Sequence, residues 1–180
     1  MTPGALVARC APNVGPVTMS AIVAYESGAR PFAIGDNTAH RSYFPAKYPA
    51  AVALADRLIA RGDDIDVGYA QINVSNFGAY GLDAASALLP CRNVSIGARI
   101  LQACYGRAVR VYGAGQLALA HALSAYNTGG LEGGGAYARG VWREAARLRA
   151  SPRRAVAFVR GRPDGRAIGV IRGAAERSPK

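Results

Sequence analysis

The sequence has 180 residues, of which 51% are hydrophobic and 18% are charged, and its formal net charge is +11. This length and composition exclude a disordered chain and suit one domain with a substantial core. No apolar run approaches the ~20 residues that cross a bilayer, so we predict no transmembrane segment.

The positive charge is concentrated at the C-terminal end. Residues 1–138 contain ten Lys/Arg and eight Asp/Glu, a balance of +2, whereas 139–180 contain twelve and three, a balance of +9. The segment 139–180 is therefore a nucleic-acid-binding tail, a region attracted to an anionic surface or partner, or simply a solvated tail. Its aromatic residues, Trp142 and Phe158, lack the pattern that stacks bases, which disfavours nucleic acid.

Two helices are predicted at the start of the chain, and the second carries a carboxyl group near its end. The first covers 4–11. The second begins near Pro16, because proline is tolerated in a first helical turn, and runs to Ser27, with Gly28 as its C-cap. Glu26 lies in the last turn. Both the helix dipole and burial raise the pKa of a carboxyl group there, which suits a general acid.

The middle of the chain is predicted to alternate loops with short elements. Residues 29–48 lack periodicity and indicate a long surface loop, which leaves Asp36 in a loop. Apolar spacing then indicates a helix over 49–61. A turn and a short extended piece follow, with Asp63, Asp64 and Asp66 placed in loops. Two short helices are predicted, at 75–79 and 83–88.

The last part of the domain is predicted to be helical. Asn93 is expected to cap a long helix over 94–111, and another helix covers 116–125. A Gly-rich loop at 129–135 leads to a helix over 136–149. We therefore predict one domain over 1–150 and a basic, poorly ordered extension over 151–180.

Three segments carry the polar residues that suggest chemistry: AYESG at 24–28, GYAQIN at 68–73 and SAYNTGG at 124–130. Each alone is a weak signal, but their order and spacing are uncommon. From about Leu6 to Trp142 the sequence resembles the lytic transglycosylases of the goose-lysozyme-like (SLT) family, and it is most similar to the small members associated with type IV secretion and conjugation. The resemblance implies a mainly α (α+β lysozyme-like) fold, with a helical bundle and a small β-like lobe flanking a glycan cleft.

The resemblance also implies roles for individual residues. Glu26 matches the catalytic acid, and the matched tyrosine, Tyr126, is expected to hydrogen-bond near it. Tyr69 stands where many relatives have leucine, at a position expected to line the cleft. The implied substrate-binding residues are Ser27, Gly68, Tyr69, Gln71, Asn73, Tyr126 and Asn127.

Several of these residues also have ordinary structural interpretations. Glu26 alone fits a surface residue at a helix end, Gln71 and Asn73 fit a turn, and Tyr126 fits a half-buried core position. His40 and His121 are more typical of packing or surface residues. No His/Cys/Asp group has metal-ligand spacing and no phosphate loop is present, so we predict neither metal nor cofactor.

The chemistry of glycan cleavage adds an independent argument. Glycosidases normally need two carboxyl groups, and only Glu26 is an obvious candidate near the motifs. A lytic transglycosylase needs one, because the C6 hydroxyl of the muramoyl residue attacks the anomeric carbon and forms a 1,6-anhydro end. We therefore predict cleavage of the β-1,4 bond between MurNAc and GlcNAc in peptidoglycan, with Glu26 as general acid and then base.

The three cysteines, at 10, 91 and 104, cannot all pair within the chain. A helix over 94–111 places Cys91 and Cys104 too far apart for a disulfide, which allows at most ~7 Å between Cα atoms. Cys10 and Cys104 are both expected at the end of the domain away from the site, so Cys10–Cys104 is the preferred bridge. Cys91 is then left near Ala125, where many relatives have cysteine. The alternative is three reduced, buried cysteines.

Two other functions stay open. A goose-type lysozyme hydrolase needs a second carboxylate, with Asp36 or Asp66 as candidates, and a non-catalytic wall-binding assembly module would use the basic 139–180 segment. The expected partners are peptidoglycan strands and secretion or conjugation proteins. The expected location is the periplasm, although MTPGALVARC shows no export signal.

Overall fold

A computed structural model describes residues 2–150, and the predicted extension 151–180 lies outside the described residues. Within the described part, the helices are α1 Pro3–Cys10, α2 Pro16–Ser27, α3 Tyr48–Ala60, α4 Phe77–Tyr80, α5 Ala84–Ala87, α6 Pro90–Tyr112, α7 Gln116–Thr128 and α8 Gly135–Ala150. The strands are β1 Ile34–Asp36, β2 Arg41–Tyr43, β3 Ile65–Val67 and β4 Ile72–Asn73, and a 3-10 turn covers Val74–Asn76.

The helices pack around α6, the longest of them. Helices α1 and α7 lie against α6, while α8 contacts both α2 and α7. Proline at the first turn of α1, α2 and α6 fixes where each begins. Gly28, at φ 59°, ends α2 in the left-handed conformation, as the sequence predicted. No helix in residues 2–150 is both long enough and apolar enough to cross a bilayer.

A four-stranded antiparallel sheet, in the order β2-β1-β3-β4, forms a small lobe beside the helices. The prediction of one loop over 29–48 was wrong, because this segment contains β1 and β2. Each has only three residues, too few to show an alternating pattern. They are stabilised by non-local pairing, in which Ile34 lies opposite Val67 and Gly35 opposite Asp66.

Asn93 joins the lobe to the helices. The prediction that it caps the long helix was wrong. Helix α6 begins at Pro90, and the buried Asn93 amide accepts from the Ala70 N–H at 2.8 Å. It donates to the carbonyl oxygens of Val67 at 2.8 Å and Ala87 at 2.9 Å. Gly68 leaves room for it: at φ 79°, a Cβ there would lie 2.3 Å from the Asn93 Nδ2. Buried backbone groups need partners, and Asn93 supplies three of them.

The predicted Cys10–Cys104 bridge was wrong. Cys10 is bonded to Cys91, with Cα atoms 5.3 Å apart, and Cys104 is a buried free thiol. The C-terminal end of α1 lies at the beginning of α6, where Cys91 is the second residue. Cys104 precedes Gly113 by nine residues, and Ala125 follows Gly115 by ten. In an antiparallel helix pair these nearly equal spacings place Cys104, not Cys91, close to Ala125, and both Cys104 and Ala125 line the same cleft.

Candidate active site

Glu26 lies in the last turn of α2, after the buried Ile22 and Val23. The Tyr137 hydroxyl donates to its Oε1 at 2.5 Å. Burial raises the pKa of Glu26 to about 7, against the lowering effect of the Tyr137 hydrogen bond, and the negative charge of Asp66 raises it further. The protonated and ionised forms are therefore both well populated near neutral pH, which is the condition for one group to act as acid and then base.

Glu26 opens into a cleft of about 800 Å³ between the sheet lobe and the α6–α7 pair. That volume is in the range of small-molecule and oligosaccharide sites. Most of the lining is polar. The lining residues are Glu26, Asn37, Asp64, Asp66, Gln71, Ile72, Asn73, Ser75, Asn76, Tyr80, Ile100, Ala103, Cys104, Arg107, Ala125, Tyr126, Asn127, Thr128 and Gly129.

The tyrosine that hydrogen-bonds Glu26 is Tyr137 and not Tyr126, for which the resemblance implied a hydrogen bond near Glu26. Tyr126 lines the cleft, but its hydroxyl donates to the Ala70 carbonyl at 2.7 Å. Burial raises the pKa of both tyrosines, so both hydroxyls stay protonated and donate. Tyr137 is on α8, past the Gly-rich loop and outside all three motifs. In the sequence, Tyr137 is marked only by its spacing of four residues from Val141, which places both side chains on one face of a helix. Both are buried in the structure.

Three of the predicted substrate-binding residues lie behind the cleft and do not line it. Ser27 is buried, and its hydroxyl lies 3.0 Å from the Val23 carbonyl and 2.9 Å from that of Tyr69. Tyr69 is only 9% exposed and packs in the core, so its expected place in the cleft was wrong. Gly68 is buried against Asn93. These residues fasten the turn after β3 to α2 and α6, which fixes Glu26 relative to the lobe.

Gln71, Asn73 and Asn127 do line the cleft. The Gln71 amide donates to the carbonyls of Gly68 at 2.8 Å and Ala33 at 3.1 Å, which holds its left-handed backbone at φ 44°. The Asn73 amide donates to Asp64 at 2.6 Å and accepts from the Ser75 N–H at 2.9 Å. Asn127 is exposed at the end of α7. The first two amides are thus held rigidly by the protein, while Asn127 is open to a ligand.

Two further carboxyl groups, Asp64 and Asp66, share the cleft with Glu26. The prediction that Asp66 lies in a loop was wrong, since it is on β3. Burial raises the pKa of Asp66, while a hydrogen bond from the Asn37 amide, 2.8 Å long, lowers it. The sequence offered Asp66 only as one of two possible second carboxylates and did not place it beside Glu26, because β3 pairs with distant segments and its alternation covers only three residues.

Asp36 and Asp63 stay outside the cleft. Asp36 is on β1, not in a loop as predicted, and its buried Oδ1 accepts from the Ala39 N–H at 2.9 Å. Asp63 forms an ion pair with Arg61. Within residues 2–150, no group of three or more His, Cys, Asp or Glu side chains is arranged to hold a metal ion.

The fold is mainly α and lysozyme-like, with a small antiparallel lobe, as the resemblance implied. Residues 5–144 match the transglycosylase SLT domain family, and the chain belongs to that family. No solved structure gives a significant match.

The chain is also similar to curated relatives from three bacteria. It is 42% identical over 130 residues to the type IV secretion system protein virB1 of Brucella abortus (strain 2308), covering 72% of this chain and 55% of that protein. It is 40% identical over 122 residues to protein virB1 of Agrobacterium fabrum, covering 67% and 49%. It is 36% identical over 121 residues to protein virB1 of Rhizobium radiobacter, covering 67% and 50%. The chain spans about half the length of these relatives.

Proposed function

We propose that the chain is a peptidoglycan lytic transglycosylase with Glu26 as its acid–base residue. The observation that carries the proposal is a carboxyl group with a pKa of about 7, held by a tyrosine at one side of a polar cleft. Membership of the transglycosylase SLT domain family supports the substrate class.

In the proposed reaction a single residue, Glu26, both donates and accepts the proton. Protonated Glu26 gives its proton to the oxygen of the MurNAc–GlcNAc β-1,4 bond, and the bond from that oxygen to C1 of MurNAc breaks. The C6 hydroxyl of the same MurNAc attacks C1, and the Glu26 carboxylate takes the hydroxyl proton. The products are a 1,6-anhydro-MurNAc end and a free GlcNAc 4-hydroxyl, with Glu26 protonated again.

Tyr137 and Asp66 have opposite effects on this cycle. The Tyr137 hydrogen bond favours the ionised carboxyl that accepts the C6 proton, whereas the negative charge of Asp66 favours the protonated form that begins the reaction. Burial, which raises the pKa most, combines with these two effects to keep it close to neutral, where transfer in both directions has a small energetic cost.

We propose that this activity opens the wall locally in the periplasm while a type IV secretion or conjugation machine is assembled. The support is the similarity to proteins named for type IV secretion. The partners are then the glycan strands and components of that machine.

A goose-type hydrolase is the second candidate, and the position of Asp66 favours it. Asp66 lines the same cleft and is held by Asn37. An ionised second carboxylate in the cleft is what an inverting glycosidase requires to act on a water molecule. Asp36, the other candidate from the sequence, is buried away from the cleft.

The test is mass spectrometry of digested sacculi. We expect 1,6-anhydro ends from the wild type and a loss of roughly a hundredfold or more in Glu26→Gln. Glu144→Gln, which removes a carboxylate paired with Arg147 on α8, is the control and should retain activity.

Asp66→Asn separates the two reactions. Under transglycosylation it retains substantial activity and anhydro ends, and exposed Asp56→Asn is its control. Reducing ends from the wild type, with full loss in Asp66→Asn, would establish the hydrolase. Full activity in Glu26→Gln contradicts both reactions, and binding without cleavage by the wild type supports the assembly module.

A further inference from the structure

One positive charge faces this cleft. Among the described residues, Arg107 is the only Lys or Arg in the lining, whereas Glu26, Asp64 and Asp66 are acidic. The acids Asp64 and Asp66 are at the sheet lobe, and Arg107 is on α6, on the side formed with the end of α7. The cleft is therefore negatively charged on the side of the sheet lobe and carries a positive charge on the side of α6 and α7.

The Arg107 guanidinium is held in place by the protein but still has unused hydrogen-bond donors. Its Nη2 donates to the Gly129 carbonyl at 3.0 Å and lies 3.7 Å from the Cys104 Sγ. Guanidinium has five N–H donors, and within residues 2–150 no acceptor lies against Nε or Nη1. The residue is exposed and lines the cleft, so these donors are accessible to a ligand there. Its contacts orient the group at little further entropic cost when it binds an anion.

We propose that Arg107 binds a carboxylate of the peptide stem carried by the muramoyl residues, and so makes the protein prefer strands whose stems bear free carboxylates over strands whose stem carboxylates are amidated. This inference rests on the proposed function for its substrate. In stem-bearing strands the lactyl carboxyl group of each muramoyl residue is taken up in the amide bond to the stem. The negative charges then lie on the stem peptides, whose carboxylates guanidinium recognises through charge-assisted hydrogen bonds.

The charges also set the direction in which the stem leaves the cleft. A stem directed towards the sheet lobe would place its carboxylates beside Asp64 and Asp66, and like charges repel. A stem directed towards α6 and α7 meets Arg107 instead. The glycan strand is therefore oriented with its stems on the α6–α7 side.

The experiment compares three defined glycan strands: bare, with stems bearing free carboxylates, and with stems whose carboxylates are amidated. Wild type should have a kcat/KM about fivefold or more higher for the free-carboxylate strands than for the amidated strands, in line with one charge-assisted hydrogen bond at a partly exposed site. The difference should arise in KM and shrink as salt is added. Bare strands, which carry the muramoyl lactyl carboxylate beside the sugar ring, give the rate without a stem.

Arg107→Gln should bring the ratio of kcat/KM for free-carboxylate and amidated strands close to one, and Arg107→Lys should restore part of it. Arg110→Gln removes the same charge from an exposed position on α6 outside the cleft, and it should keep the wild-type ratio. The ratio does not depend on the fraction of folded enzyme. A purely structural role, in which Arg107 only holds the Gly129 carbonyl, would lower all three rates together and overturn the inference.

Binding to the same strands, measured in a Glu26→Gln background, separates this inference from the proposed activity. If the wild type cleaves no strand, the proposed function fails, but binding still decides the role of Arg107. Tighter binding of free-carboxylate strands, lost in Glu26→Gln/Arg107→Gln, supports it. Equal affinity for free-carboxylate and amidated strands overturns it.

Discussion

At the scale of single residues, the proton affinity of Glu26 is set by its surroundings. Burial at the end of α2 is the largest influence and raises its pKa, and the Tyr137 hydroxyl opposes it by stabilising the carboxylate. The sequence predicted the direction from the helix end and burial, but not Tyr137. That side chain reaches Glu26 from 111 residues away, on a helix with no motif of its own.

Replacing Tyr137 by Phe should change both the rate and its pH dependence. Activity requires protonated Glu26, so in the wild type it should fall as the pH rises through about 7. Removal of the hydrogen bond destabilises the carboxylate, so in Tyr137→Phe this fall should occur at higher pH. The maximal rate should drop roughly tenfold, because the carboxyl group loses its orientation.

The measurement is the pH profile of kcat/KM on purified glycan strands. Tyr43→Phe, on β2 outside the cleft lining, is the control and should keep the wild-type profile. A fall that moves to lower pH in Tyr137→Phe would show that the hydroxyl favours the protonated form instead.

The raised pKa of Glu26 also affects stability. The folded state binds the proton more tightly than the unfolded state, whose pKa is near 4.5, so the free energy of unfolding falls as the pH rises from about 4.5 to about 7 and then levels off. The full penalty is on the order of 3 kcal/mol. The Glu26→Gln variant has no carboxyl group to ionise and so lacks this penalty. It should therefore be more stable than the wild type at pH 8.

Urea denaturation of both proteins at pH 4 and pH 8 tests this. The two should have similar free energies of unfolding at pH 4 and diverge at pH 8. A constant difference across that range would mean that Glu26 is not held with a raised pKa in the folded protein.

At the scale of elements, the site depends on how closely the turn after β3 approaches α6. Gly97, on α6, permits that approach: a Cβ there would lie 2.6 Å from the Ala70 Cβ and 3.0 Å from the Tyr126 hydroxyl. Neither neighbour can give way easily, since Ala70 is buried and the Tyr126 hydroxyl is bonded to the Ala70 carbonyl. Small residues at this crossing let α6 and the lobe form one wall.

Gly97→Ala should therefore destabilise the protein by about 1–3 kcal/mol, because it forces the turn away from α6. Gly106→Ala, on the same helix, has no atom within 4 Å of its added Cβ and should stabilise by about 0.5–1 kcal/mol through helix propensity. Thermal unfolding of the two variants makes the comparison. Equal effects in both would show that propensity, not contact with Ala70, governs position 97.

At the scale of the whole molecule, the Cys10–Cys91 bridge closes a loop of 81 residues that contains α2, the sheet lobe and α3. Cross-linking over this length restricts the unfolded chain, and the stabilisation is typically 2–4 kcal/mol. An oxidising periplasm, the expected location, permits such a bond.

Cys91→Ser should lower the free energy of unfolding by about 2–4 kcal/mol, and a reductant should reduce the stability of the wild type by a similar amount. Cys104→Ser is the control for reductant. It removes the free thiol and leaves the bridge, so its loss of stability on reduction should match that of the wild type. If Cys91→Ser still lost stability with reductant, a bond involving Cys104 would have to form in solution.

Much of this molecule could be predicted from local sequence. Proline and glycine determine where α2 begins and ends, because each acts on its own backbone. The helices α3, α6, α7 and α8 were predicted to within a few residues of their observed bounds. The family match agrees with the three motifs, and Gln71, Asn73, Tyr126 and Asn127 do line one cleft with Glu26.

Tertiary structure decided what depends on two distant segments meeting. The three-residue strands β1 and β2 exist because β1 pairs with β3, and this pairing holds Asp66 near Glu26. Cys10 bonds Cys91 because α1 ends where α6 begins. Tyr137 reaches Glu26 because α8 packs on α2. A sequence determines turns and helical faces through interactions a few residues long, whereas the partner of a side chain is set by the path of the whole chain.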